Sequence, residues 1–174
     1  MRISLLFVSA AMITALTSFR GTTTLTVTSP AFQPNTMMPQ KYSCEAQGTN
    51  PPLNVTNIPE GVKSLALIVH DPDAPKKGGF THWVIWNMST DGNIPESYTG
   101  ADQGLNSAQE HEFKGACPPS GTHRYFFMVY ALDTKLDIDK NTDKAALEKA
   151  MRGHILGKGE LVGLYKRAKE DREH

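Results

Sequence analysis

Three short apolar runs constrain the fold of this chain more than any other feature. They are KSLALIVHD (63–71), THWVIWNM (81–88) and HRYFFMVYALD (123–133). Each has the length and the β-branched or aromatic content of a strand buried in a core. A parallel sheet needs a long crossover, usually a helix, between consecutive strands, and the connecting segments are rich in Pro, Gly and Asn instead. The runs therefore predict antiparallel strands.

The remaining pattern adds two strands and one helix. TTTLTVTSPAF alternates and predicts a first strand, and GELVGLYKR predicts a last one. NTDKAALEKAMRGHI has helical spacing, with Asn141, Thr142 or Asp143 as N-cap and Gly153 at its end. The predicted class is mainly β: an antiparallel two-sheet β-sandwich with one or two peripheral helices.

The first twenty residues differ in character from the rest. One arginine precedes an apolar stretch from Ile3 to Leu16, which is shorter than the ~20 residues that span a bilayer. This is typical of a signal peptide, with an N-terminal anchor as the alternative. We therefore expect residues 1–20 to direct export to the periplasm or the exterior, and residues 21–174 to form a single domain.

The charge balance argues against one class of partner. The chain has 18 basic and 18 acidic side chains and a formal net charge of zero. It shows no basic stripe with interleaved aromatic residues, so we expect no nucleic-acid partner.

The two cysteines, Cys44 and Cys117, leave two alternatives open. In an oxidising compartment they could form a disulfide, worth about 4 kcal/mol by the chain-entropy argument. The alternative is two buried thiols that do not meet, because the sequence does not show whether their Cβ atoms approach.

Polar residues follow the first apolar run directly. Asp71 and Asp73 alternate with Pro72 and Pro75, and Pro biases the residue before it toward extended backbone. In an extended segment the two carboxylates project to the same side. A tight turn is the alternative, since Asp and Pro are both turn formers.

The second run begins with a histidine. Strand alternation puts His82, Val84 and Trp86 on one face, and Trp83 with Ile85 on the other. His82 is then expected near the rim of the sheet.

The third run follows a Gly-Pro loop. The backbone N–H groups of residues 115–117 beside a histidine predict a small anion-binding concavity. His123 and Tyr125 share one face of the strand, while Arg124 points the other way and could pair with Asp71 or Asp73.

Taken in order, these segments resemble a known family. DPDAP, HWVIWN and G-x-C-P-P-x-G-x-H-R-Y are similar to motifs of the phosphatidylethanolamine-binding proteins, also called Raf-kinase-inhibitor-like proteins. YSCEAQGTNPPL and GHILGKGELVGLYKR are similar to the bacterial branch. The resemblance runs from about Thr24 to Arg167.

This resemblance implies a β-sandwich with a small pocket for phosphate-like anions and the phosphoethanolamine head group. It also implies a cis peptide near the pocket, for which Ala74–Pro75 is the candidate, and a homodimer. The implied pocket residues are Asp71, Pro72, Asp73, His82, Gly115, Pro119, His123 and Tyr125. We expect a non-enzymatic binding protein without a cofactor or metal. An inhibitor-like role toward a kinase or protease partner is compatible with this function, although it transfers less well from the family than the pocket chemistry does.

Two enzymatic alternatives remain. A hydrolase could use Ser120 with His123, although no G-x-S-x-G motif is present. A metal-dependent enzyme could use His82, His123 and Asp71 as ligands, although their spacing matches no common metal motif.

Overall fold

The computed structural model of the protein describes residues 21–168, so the predicted signal peptide or anchor lies outside the described residues. The single domain of residues 21–174 likewise stays a prediction. The strands are β1 (Thr23–Thr24), β2 (Thr26–Thr28), β3 (Thr36–Met37), β4 (Leu53–Thr56), β5 (Ser64–Asp71), β6 (Phe80–Met88), β7 (Asn93–Ile94), β8 (Asp102–Gln103), β9 (His123–Leu132) and β10 (Ile155–Tyr165). A 3₁₀-helix covers Gln40–Tyr42, and helix α1 covers Lys144–Ala150.

The strands form two sheets, which confirms the predicted fold class. The larger sheet has seven strands in the order β1-β10-β9-β5-β6-β8, with β3 also paired to β10. The smaller sheet has the order β2-β4-β7. The long strands β5, β6, β9 and β10 pair antiparallel, whereas the two-residue strands β1 and β3 pair parallel to β10. These short parallel pairs were not predicted.

The central strands are buried on both faces, which explains their nearly continuous apolar runs. Between the sheets, Leu67, Trp83 and Phe127 pack with residues of the smaller sheet such as Val55. On the opposite face a second cluster buries alternate residues of the same strands. Its members include Ile68, Val84, Trp86, Leu147 and Met151.

Helix α1 has the predicted ends. Of the three candidate N-caps, Asp143 is the one used, and its carboxylate accepts the Ala146 N–H at 2.9 Å. Gly153 follows the helix with φ +84°, a conformation that favours glycine. Among the described residues, no helix is both long and apolar enough to cross a membrane.

A disulfide links the loop after the 3₁₀-helix to the segment before β9. Cys44 and Cys117 are bonded, with their Cα atoms 5.4 Å apart. Next to the disulfide, the Ala116 N–H donates to the Tyr42 carbonyl at 3.0 Å, and the Ala116 carbonyl accepts from the Cys44 N–H at 3.1 Å. The segment 115–117 is thus held against loop 42–48 by one covalent and two hydrogen bonds.

We expect reduction of this disulfide to lower the free energy of unfolding by up to about 4 kcal/mol, because it closes a loop of 73 positions. Urea unfolding with and without a phosphine reductant measures the change. The Cys44→Ala/Cys117→Ala variant, which has no disulfide, is the control and should not respond to the reductant. An unchanged unfolding midpoint on reduction of the native protein would contradict a stabilising bridge.

Candidate anion-binding site

A β-bulge turns His82 toward the core between the sheets. His70 pairs with Thr81 and Val69 pairs with Trp83, so residue 82 is the extra residue of β6 at this point. Its ring lies 4.8 Å from that of Phe80 and 5.1 Å from that of Tyr125, centroid to centroid. The predicted grouping of His82 with Val84 and Trp86 is therefore wrong. Simple alternation fails because the bulge shifts the side-chain period by one residue.

Asp71, the last residue of β5, is buried and hydrogen-bonded at both carboxylate oxygens. Its Oδ2 accepts from Nδ1 of His123, the first residue of β9, at 2.7 Å. Its Oδ1 accepts the backbone N–H of Asp73 at 2.8 Å, which begins the turn after the strand. Only 2% of Asp71 is exposed. The acidic motif and the ring of residue 123 therefore meet directly.

Asp73 turns away from Asp71 and pairs with Arg124. Its carboxylate accepts from Arg124 Nε and the Arg124 backbone N–H at 2.9 Å each, and from Nη2 at 2.6 Å. These bonds lower the pKa of Asp73 to about 2. The expectation that both aspartates project to one side is wrong, because the chain enters a turn at residue 72 instead of staying extended.

The Ala74–Pro75 peptide bond is trans, whereas the family resemblance implied a cis bond. No peptide bond among residues 21–168 is cis. The trans form is the intrinsically favoured one for an X–Pro bond.

A cleft of about 250 Å³ lies beside Asp71, His82 and the Ala74–Pro75 peptide. It is bounded by the turn after β5, the start of β6 and the segment before β9. The lining residues are Asp71, Ala74, Pro75, Lys76, Phe80, His82, Lys114, Gly115, Cys117 and Pro119. Lys76 and Lys114 are the positive side chains of the lining and Asp71 is the negative one, and most of the other walls are apolar.

His82 is fixed by the main chain of Lys114. Its Nδ1 lies 2.7 Å from the Lys114 carbonyl, so Nδ1 carries the proton and donates. Burial lowers the pKa of His82 to about 4, which leaves the imidazole neutral at pH 7 with Nε2 unprotonated.

Tyr125 supplies an unused donor behind His82. Its hydroxyl is buried and makes no hydrogen bond to any residue between 21 and 168. Burial raises the pKa of Tyr125, and the negative charge of Asp71 raises it by a smaller amount. The nearby backbone of Cys117 has a smaller effect in the opposite direction. The hydroxyl therefore stays protonated, and a buried donor without an acceptor costs about 1–3 kcal/mol.

Gly115 allows the cleft wall to lie against the neighbouring loop. A Cβ atom at this position would lie 2.9 Å from Gly48 Cα and from the Ser43 carbonyl carbon. Both are backbone atoms, so they could not move without shifting the loop. The sequence predicted free N–H groups at residues 115–117. The Ala116 N–H donates to the Tyr42 carbonyl, so this one of the three is not available to a ligand.

The eight predicted pocket residues divide into three sets. Asp71, His82, Gly115 and Pro119 line the cleft, and His123 and Tyr125 contact that set from behind. Pro72 is exposed and Asp73 binds Arg124, so neither lines the cleft. Six lining residues are not among those eight: Ala74, Pro75, Lys76, Phe80, Lys114 and Cys117. Of these, the sequence places Ala74–Pro75 near the pocket and the backbone of Cys117 in the anion-binding concavity. Phe80 and Lys114 flank predicted residues in sequence, but only tertiary contacts place them here.

The two enzymatic alternatives, a hydrolase and a metal-dependent enzyme, each need a particular arrangement of side chains. No group of three His, Cys, Asp or Glu side chains in the described part of the chain is arranged to hold a metal ion. Ser120 is exposed, and His123 directs Nδ1 to Asp71.

Comparison with known proteins agrees with the fold and motifs. The family model of the phosphatidylethanolamine-binding protein matches residues 28–166. The chain belongs to this family. A UPF0098 protein of Methanothermobacter thermautotrophicus is 44% identical over 145 residues, covering 79% of this chain and 95% of that protein.

Two solved structures share the fold of this family member. A Chlamydia trachomatis protein, described as a phosphatidylethanolamine-binding protein homolog, superposes with a TM-score of 0.79 at 40% identity, over 84% of this chain and 99% of that one. Escherichia coli YbcL, described as a member of the mammalian family, gives 0.76 at 32% identity, over 82% and 98%.

We expect Gly115→Ala to destabilise this family member by about 1–3 kcal/mol, because the added methyl group overpacks backbone against backbone. Gly21→Ala is the matched control, since a Cβ there meets nothing within 4 Å. Urea unfolding of both variants measures the difference. Equal stabilities would show that loop 43–48 does not pack against Gly115 as described.

Proposed function

We propose that this protein is a non-enzymatic binding protein for a small phosphate-bearing group, of the phosphoethanolamine head-group type. The observation that carries the proposal is the unpartnered, buried hydroxyl of Tyr125 beside the neutral ring of His82. His82 lines a cleft that has room for a single small group, and Tyr125 lies behind His82 with the two rings in contact. A phosphate oxygen would accept from Tyr125, and a protonated phosphate oxygen would donate to His82 Nε2.

Two aspartates near an anion site would normally repel the ligand. Here Asp73 is neutralised by Arg124 and does not line the cleft. Asp71 is bonded to His123 and to the backbone of residue 73, so both of its oxygens already accept hydrogen bonds. The aspartates therefore serve to position the histidine and the turn, and Asp71 is the single carboxylate in the lining that could face an ammonium group.

The cations of the cleft favour an anion. Lys114 is paired with Glu110 at 2.8 Å, so much of its charge is balanced. Lys76 has no ion pair or side-chain hydrogen bond within the described range. The apolar walls of Phe80 and the prolines lower the local dielectric and strengthen each of these interactions.

Export and regulation complete the proposal. The Cys44–Cys117 disulfide supports an oxidising compartment, in agreement with the signal-like residues 1–20. An inhibitor-like role toward a kinase or protease, and a homodimer, stay predictions from the family resemblance. Pull-down from the envelope fraction and measurement of the solution mass would check them.

Binding of inorganic phosphate and phosphoethanolamine by titration calorimetry tests the proposal. We expect Tyr125→Phe to weaken binding by about tenfold or more, since a hydrogen bond to a charged group contributes roughly 1.5–3 kcal/mol. Tyr130→Phe is the matched control, because Tyr130 lies half-buried on the other face of β9, away from the cleft. If Tyr125→Phe binds like the native protein, or if neither ligand binds, the proposed site is wrong.

The same proposal predicts a pH dependence. The free His82 ring has a pKa of about 4, and a bound anion raises that pKa by favouring the charged form. Proton uptake then accompanies binding, so affinity increases as the pH falls from 7 toward 4. Sulfate, whose charge is constant in this range, separates protein titration from ligand titration. His82→Gln should flatten the sulfate profile, and an equal slope in both proteins would exclude His82 as the titrating group.

A further inference from the structure

A second cleft, of about 390 Å³, adjoins the first and shares Lys76 with it. Its walls are the end of the turn after β5, the loop at 105–109 and the first residues of α1. The predicted pocket residues do not include any of its lining. The turn that separates the clefts is anchored at Asp71, so one short segment forms a wall of both.

The charges in this second cleft are mostly positive. Lys76, Lys77 and Lys144 line it, against one carboxylate, that of Asp143. Asp143 already serves as the N-cap of α1. Of the three ammonium groups, only Lys144 has an ionic partner among the residues described, namely Glu148 at 2.9 Å. The cleft therefore holds more positive charge than its own carboxylates balance.

The turn also offers main-chain donors. The N–H groups of Lys77 and Gly78 make no backbone hydrogen bond within residues 21–168. Gly78 and Gly79 have φ of +86° and +79°, and a Cβ at Gly79 would lie 2.4 Å from the Asp71 carbonyl oxygen. Only glycine fits that close approach, so the turn holds its amides in a fixed arrangement.

The polar floor of the cleft is already satisfied. His70 Nδ1 lies 3.2 Å from the Thr81 hydroxyl, and Ser107 accepts the Thr81 N–H at 2.9 Å. The pKa of His70 is lowered, first by burial and then by Lys144, so its ring adds no charge at pH 7. Binding would therefore depend on the lysines and the free amides at the rim.

We propose that this lysine cleft is a second anion subsite, and that the two clefts together bind a ligand with two or more phosphate groups on either side of Lys76. The first subsite rests on the proposed function, whereas the second rests on the lysines and amides alone. The ligand class is a small polyphosphate or a head group with more than one phosphate.

Titration calorimetry with inorganic phosphate and with tripolyphosphate tests this inference. We expect tripolyphosphate to bind the native protein more tightly than phosphate does. Lys77→Gln/Lys144→Gln should weaken tripolyphosphate binding by about tenfold, whereas phosphate binding at the first cleft, which these two lysines do not line, should change by no more than about twofold. Lys63→Gln/Lys135→Gln removes the same charge at the opposite end of β5 and should change neither affinity by more than about twofold.

Three outcomes separate the two proposals. Equal losses in both double variants, or no loss in Lys77→Gln/Lys144→Gln, would overturn the second subsite. Loss of tripolyphosphate binding in Lys77→Gln/Lys144→Gln but not in Tyr125→Phe would support the second subsite and reject the first. Backbone amide shifts of Lys77 and Gly78 should move on addition of tripolyphosphate, and unmoved amides would count against the inference.

Discussion

The buried carboxylate of Asp71 is the interaction on which the site depends. It joins the end of β5 to the start of β9 through His123, although the two residues are 52 positions apart. It also begins the turn that forms a wall of both clefts. Removing one partner of a buried hydrogen bond leaves the other partner unsatisfied, which typically costs about 1–3 kcal/mol. Any change at Asp71 should therefore disturb stability and both clefts together, which makes it a poor probe of binding alone.

Much of the fold follows from local sequence. Long apolar runs specify β5, β6 and β9 because these strands are covered on both faces, and α1 is capped by Asp143, one of the three N-cap candidates that the sequence offers. The predicted first strand is divided into β1 and β2, which belong to different sheets, and the two-residue strand β3 carries no comparable signal. The parallel pairing of β1 and β3 to β10 depends on contacts between distant segments, which the sequence pattern does not show.

The site was harder to predict, for a physical reason. His82 reaches Tyr125 only because β6 contains an extra residue at that point, and a bulge is set by cross-strand register instead of local composition. The motifs found the residues that carry polar chemistry. They missed Lys76 and the carbonyl of Lys114, whose roles depend on how a turn and a loop approach the strand ends.

Family membership and geometry support different parts of the account. Membership rests on the match across residues 28–166 and on relatives that are 40% or more identical. The anion proposal rests on two side chains in unusual states: a buried tyrosine donor without an acceptor, and a histidine kept neutral by burial. A bound anion would accept a hydrogen bond from the Tyr125 hydroxyl, and it would raise the pKa of His82.

The state of the His82 ring therefore tests the central claim most directly. NMR titration of the ring carbon and nitrogen shifts, with and without saturating phosphate, measures its pKa in each form. The account predicts a pKa near 4 in the free protein and a clearly higher value in the bound protein. A free pKa near the ordinary value of about 6.5, or a pKa that phosphate leaves unchanged, would contradict it.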